Sequence, residues 1–242
     1  MTGTGRIVQA TLDVPVECAF HKAGAVNGLP TSPVPPVTTI RGMLYNALGR
    51  PSLLLQDRYS PGLMEKEDRE QEEKRREQFR ENIRIGLSKR TGEEKVHTHL
   101  LSRHQLQDRR KSDDKRYKKY VANTDTLIQP KFKLFLGGPE EALPPLKNAL
   151  EDPVRPLSLG RSDDLVDVRD VAMVKVEHVE KQASLSCVVP GGNDDPEMLP
   201  VVPETFGSYG AVNGSVKLVS VSGGEVDSYY KTNDGERFVF ID

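Results

Sequence analysis

The sequence has only two cysteines, Cys18 and Cys187, far apart and each inside an apolar run. With no CxxC and no Cys/His spacing of the zinc type, they read as buried thiols in a reducing compartment. No apolar run approaches the roughly eighteen residues that a membrane helix needs. Residues 1–5 lead straight into a strand pattern, without the basic, apolar and small-residue succession of a signal peptide, so a cytoplasmic chain with no membrane contact is expected. Also missing are G-x-S-x-G, the P-loop and the Rossmann glycine fingerprint, which removes support from the common hydrolase and nucleotide-site classes.

What is present is a polar, globular composition: 36% hydrophobic and 29% charged over 242 residues, enough for one compact domain or two small ones with a real core. The net charge of -2 conceals an asymmetry. Residues 1–139 carry 25 Lys+Arg against 17 Asp+Glu, and residues 140–242 carry 9 against 19. A basic first part suits contact with a polyanion; solvated faces of both signs are the plainer alternative.

Val8, Ala10, Leu12, Val14, Val16, Cys18 and Phe20 place an apolar residue at every second position, the pattern of one long half-buried strand. Pro15, on its outward set, argues for an edge or bulge. Residues 21–36 are a proline-rich loop. Val37, Ile40, Leu44 and Leu48 then predict a short helix that starts at Pro36 or Val37 and stops at Gly49, with Gly42 inside it. Residues 64–80, "MEKEDREQEEKRREQFR", allow only a solvent-exposed or partly ordered helix. Two strands are expected around the Arg-Thr-Gly-Glu turn at residues 90–93, with Ile83, Ile85 and Leu87 on one face. "PKFKLFLGG" reads as a strand, "PEEALPPLKNALED" as a helix weakened by Pro144 and Pro145, and "VAMVKVEHVE" as a strand. Residues 181–242 alternate short apolar runs with turns. Up to residue 180 the order approaches the β-α-β-β-α-β ferredoxin-like plan, a frequent scaffold for RNA recognition.

Chemistry has few candidate residues. His97 and His99 share one face of a predicted strand, and His104 follows, which would suit a metal pair or a general acid-base cluster. No acidic or cysteine ligand lies at a matching spacing, so no metal and no cofactor are expected. Residues 103–119 hold eight Lys+Arg against three Asp, with Tyr117 and Tyr120 standing among Lys115, Arg116, Lys118 and Lys119. Cations interleaved with rings suit phosphate contact with base stacking; a lysine-rich strand edge that blocks aggregation is the alternative.

Three stretches together resemble the CRISPR-associated Cas family five: "FHKAGAVNGLPTSPVPPVTTIRGMLYNALG", "RRKSDDKRYKKYVANTDTLIQPKFKLFL" and, most specifically, "PLSLGRSDDLVDV". The resemblance runs in order over residues 6–180. It implies an α+β fold: a ferredoxin-like, RRM-like domain of the repeat-associated RNA-binding (RAMP) kind over residues 1–180. A β-hairpin thumb would be inserted at about residues 60–120, and a β-rich C-terminal extension, residues 181–242, would pack on the domain.

The resemblance further implies a subunit of a type I Cascade surveillance complex that caps the 5′ handle of the crRNA. It would touch the backbone and large subunits, meeting target DNA only through the assembled complex. The matching stretches supply the expected RNA contacts: His21 and Lys22 in the first loop; Thr38, Thr39 and Arg41 at the start of the helix; Arg103, His104, Arg109, Arg110 and Lys111 in the basic stretch; and Gly160, Arg161 and Ser162. One branch of the family, in type I-C systems, cuts precursor RNA with a Tyr, Lys and His set in which Lys and His adjoin. Here the thumb region has no Lys-His pair, only "EKVHTH". A non-catalytic subunit of the type I-B or I-A sort is therefore expected, with a metal-independent endoribonuclease using His97, His99 or His104 as the alternative.

Overall fold

The apolar alternation near the start of the chain builds an inner strand of the largest sheet. The computed structural model describes residues 4–20, 28–29, 31–50, 66–90, 96–106, 117–161, 163–191, 199–201, 205–206, 212–213 and 217–241. Strand β1 (Thr4–Asp13) buries Val8, Ala10 and Leu12 on one face. The single strand expected over residues 8–20 is broken, because β2 (Glu17–Cys18) belongs to another sheet. Pro15 cannot donate to a ladder and sits at this crossing. Across it, the N–H of Val14 donates to the carbonyl of Pro130, and that of Gln129 to Val16, at 3.1 and 2.9 Å. The alternation survives the break: Cys18 and Phe20 enter the same core cluster as Val8 and Leu12.

After β3 (Gly28–Leu29), helix α1 (Val37–Ala47) buries Val37, Ile40, Met43, Leu44 and Ala47. It stops as expected. Gly49 has φ +70, its N–H donates to Asn46 O, and Arg50 N–H donates to Tyr45 O, both at 3.0 Å. This is the Schellman pair, and the left-handed residue it needs is the glycine. Helix α2 (Lys66–Asn82) is the charged segment, mostly exposed yet anchored. Phe79 meets the Tyr45 ring edge-on at 4.9 Å, the Arg76 guanidinium lies 4.6 Å over that ring, and Arg41 Nη2 donates to Arg80 O at 3.3 Å.

Next come β4 (Arg84–Lys89), β5 (Val96–Leu106), β6 (Tyr117–Ile128), β7 (Lys131–Gly137), a 3-10 turn (Glu140–Ala142), α3 (Leu143–Glu151) and β8 (Asp167–Val179). The hairpin expected around residues 90–93 does not form. β4 pairs with β7, and β5 pairs with β6 over eleven positions from Val96↔Leu127 to Leu106↔Tyr117. In α3, Pro144 and Pro145 fall in the first turn, where no backbone N–H is needed.

The first-sheet order β8-β1-β7-β4 is antiparallel throughout. α1 falls between β1 and β4 in the chain and α3 between β7 and β8, and both helices share one core with this sheet. β6 carries a second sheet, with β5 along one side and the short β2 and β3 beside it. Among the described residues no helix is long and apolar enough to cross a membrane.

The last sixty residues have the expected β character: β9 (Ala183–Leu185), β10 (Val189–Pro190), β11 (Leu199–Val201), β12 (Thr205–Phe206), β13 (Val212–Asn213), β14 (Lys217–Ser220), β15 (Gly224–Val226), β16 (Tyr229–Thr232) and β17 (Arg237–Phe238). β16 pairs with β8 and carries β17, which makes the first sheet six-stranded. The chain then returns to the opposite edge of that sheet: Phe240 bridges Gly86, and Ile241 N–H donates to Ile85 O at 2.9 Å. Glycine is required there, since a Cβ on Gly86 would lie 2.8 Å from Phe238 and 2.9 Å from the Val239 carbonyl oxygen.

Candidate nucleic-acid interface

Strand register brings the polar residues of three strands together. Glu17 lies opposite Ile128, His97 opposite Thr126 and His99 opposite Thr124. Residues two apart on a strand share a face, and direct cross-strand partners share it too. Glu17, His97, His99, Thr124 and Thr126 therefore face one way, while Cys18 and Leu127 face the core. His99 Nε2 is 2.8 Å from Glu17 Oε2, and Thr126 Oγ1 donates to the same oxygen at 2.9 Å. The rings of His97 and His99 stand 4.1 Å apart.

The "PLSLGRSDDLV" element closes against this group. Ser158 bridges Leu165, Leu159 N–H donates to Asp164 O at 2.8 Å, and Val166 N–H donates to Leu157 O at 3.0 Å, forming a tight turn. Asp164, 2% exposed, organises it. Its Oδ2 accepts the backbone N–H of Arg161 and of Ala19, each at 3.0 Å, and its Oδ1 accepts Arg161 Nη2 at 2.7 Å. The Arg161 guanidinium also lies 3.8 Å from Glu17 Oε1. Gly160 has φ +116, and a Cβ there would be 2.8 Å from the Ala19 carbonyl oxygen. The turn thus docks on the chain that leaves β2.

Electrostatics follow from these contacts. Burial pushes the Glu17 carboxyl up, but the bonds from His99 and Thr126 and the charges of His99 and Arg161 outweigh it, so its pKa is lowered. The bond to Asp164 raises the Arg161 pKa against the opposing effect of burial. Burial raises the Cys18 thiol far above its ordinary value and that of Cys187 to about 11, so both are inert at neutral pH.

Of the residues expected from the sequence, this arrangement gathers His97, His99, Gly160 and Arg161. Arg103 and His104 lie further along β5, with backbones opposite Tyr120 and Lys119. Thr38, Thr39 and Arg41 lie on α1, outside the group. His21, Lys22, Arg109, Arg110, Lys111 and Ser162 lie outside the described residues. Sequence reasoning misses Glu17, which looks like any outward polar residue of a strand, and Thr126, whose partners are remote in sequence. Asp164 carries a local signal, an acid three residues after Arg161.

Residues 19–231 match the family described as CRISPR-associated protein (Cas_Cas5). The chain belongs to that family. The span matched to Cas_Cas5 includes His97, His99, Arg161 and Asp164 and begins two positions beyond Glu17. Among solved structures, a CRISPR protein from Archaeoglobus fulgidus is similar with a TM-score of 0.53 and 14% identity, covering 98% of this chain and 100% of that one. A chain of a CRISPR RNA-guided surveillance complex gives 0.48 and 16%, covering 90% of each chain. A Cas protein gives 0.47 and 17%, covering 90% of this chain and 95% of that one. Only the first of these bears on this chain, and it bears on the fold alone. No curated protein matches the sequence.

Proposed function

We propose that this Cas_Cas5 chain is a non-catalytic RNA-binding subunit of a type I CRISPR surveillance complex. It caps the 5′ handle of the crRNA and contacts the backbone and large subunits, and it meets target DNA only through the assembled complex. The observation that carries this reading is the family match over residues 19–231.

The strand order β8-β1-β7-β4, with α1 and α3 in the two crossovers, supports a ferredoxin-like domain, a frequent RNA-binding scaffold. The β5–β6 hairpin lies outside that plan, which supports an inserted thumb. Its far half sets Arg103 opposite Tyr120 and His104 opposite Lys119, the mixture of cation and ring that suits a single strand. Among the described residues no side chain caps α1, and the N–H groups of its first turn suit a phosphate. The Gly160–Arg161 turn docks on Ala19 and Phe20, where the chain leaves β2.

The test is a binding titration with labelled handle RNA at rising salt. Affinity should fall steeply, because released counterions drive phosphate contact. A flat response would remove the electrostatic basis of the reading.

A second reading, a metal-independent endoribonuclease, draws support from one observation: His97 and His99 stand 4.1 Å apart beside Glu17 and Thr126, a group able to move protons.

A further inference from the structure

We propose that Glu17, His97 and His99 bind a divalent transition ion of the zinc class, clamping strand β2 to the base of the β5–β6 hairpin. One ligand atom from each residue can be chosen so that all three lie within 4.8 Å of one another. Tetrahedral zinc, with bonds of about 2.0–2.1 Å, holds its ligand atoms roughly 3.3 Å apart. Closing to that spacing asks for side-chain rotation on strands already paired to β6. Two imidazoles with one carboxylate are the donor set of a borderline ion; magnesium and calcium favour all-oxygen sites.

The surroundings fit a built site. The three ligands flank β6, which is hydrogen-bonded to both β2 and β5, so the backbone beneath them is fixed. Thr126 Oγ1 lies 2.9 Å from Glu17 Oε2 and 3.2 Å from the His97 carbonyl oxygen. Arg161, at 3.8 Å, lies by the other carboxylate oxygen, Oε1, while Oε2 is the oxygen turned to His99. These are the outer contacts that orient metal ligands.

A second observation points the same way. Thr124 lies opposite His99 on the same face and is fully buried, and its Oγ1 has no hydrogen-bond partner among the described residues. A water in the fourth position of the ion would give that hydroxyl a partner. Coordination also gives two adjacent imidazoles and a single carboxylate one shared partner. Near His97 and His99 the sequence offers no acidic or cysteine ligand at a matching spacing, and the fold brings Glu17 from eighty residues away.

The test is a titration of chelator-treated full-length protein with cobalt(II), followed by its visible absorption, with zinc as competitor and no RNA present. We expect saturation at a single ion per chain with the intense spectrum of a four-coordinate site. Affinity should fall roughly tenfold or more in His97→Ala and in Glu17→Gln and stay unchanged in His178→Ala. Zinc should raise the melting temperature of the wild type and not of His97→Ala, whose exposed side chain can be removed without disturbing the core. Absence of saturable binding, or equal binding by His97→Ala and Glu17→Gln, overturns the proposal. RNA capture measured in chelator stands or falls independently of either result.

Discussion

Phe238 lies flat on Phe135, with ring centroids 4.1 Å apart and planes within 4°. The contact joins β17 to β7 of the same sheet, and it needs Gly86 beside it to lack a side chain, since a Cβ there would lie 2.8 Å from the Phe238 ring.

Gly86→Ala should therefore destabilise the protein by about 1–3 kcal/mol, since the added methyl must displace a packed ring and a backbone carbonyl. Gly42→Ala should do the reverse. A Cβ at Gly42 meets nothing within 4 Å, so the better helix former should add about 1 kcal/mol. Urea unfolding of both variants checks the pair. An unchanged midpoint at Gly86 would mean that the final strand does not cover β4.

Asp164 holds the turn that carries Gly160 and Arg161. Asp164→Asn presents an amide to two backbone donors and leaves Arg161 without its closest carboxylate. Stability should drop by about 3 kcal/mol, read as a lower unfolding free energy. A loss no larger than that of an ordinary surface substitution would show that the turn does not depend on this carboxylate.

Burial pushes the Tyr45 phenol up to about 12. In the unfolded chain a tyrosine titrates near pH 10. Below pH ~10 the phenol is protonated in both states and its stabilising contribution is complete. As pH rises from there through the folded value, the unfolded chain ionises first and that contribution is lost. Wild type should lose stability between about pH 10 and pH 12 relative to Tyr45→Phe. Denaturation midpoints of the two proteins against pH decide the matter, and parallel curves would contradict it.

The sequence makes legible whatever depends on near neighbours. The alternation of Val8, Ala10 and Leu12 identifies a strand face, and Val37, Ile40 and Leu44 with Gly49 delimit a helix, because period and cap are local properties. Partner choice is not local. The turn residues after Lys89 suggest a hairpin, yet β4 closes on β7, whose Phe132, Leu134 and Leu136 offer the larger apolar face. Glu17 and His99 form a hydrogen-bonded pair 82 residues apart, and no spacing rule connects them. Arg161 and Asp164 are legible as a pair at i and i+3, whereas the hold of Asp164 on Ala19 is visible only in the fold.

Replacing Arg109, Arg110 and Lys111 together by alanine should weaken guide-RNA capture without altering the circular dichroism spectrum, because the three belong to a polar stretch between β5 and β6. A pull-down of the assembled complex alongside the spectrum separates the outcomes. Loss of fold would place the stretch in the core, and unchanged capture would leave it a solvated loop.

The most direct test of the central claim is incubation of the purified wild-type protein with labelled repeat RNA in chelator, resolved on a binding gel and on a denaturing gel. A shifted complex and RNA of unchanged length are expected, both for wild type and for the His97→Ala, His99→Ala, His104→Ala triple variant. A defined product released by the wild type and absent with the triple variant would contradict it and identify a ribonuclease.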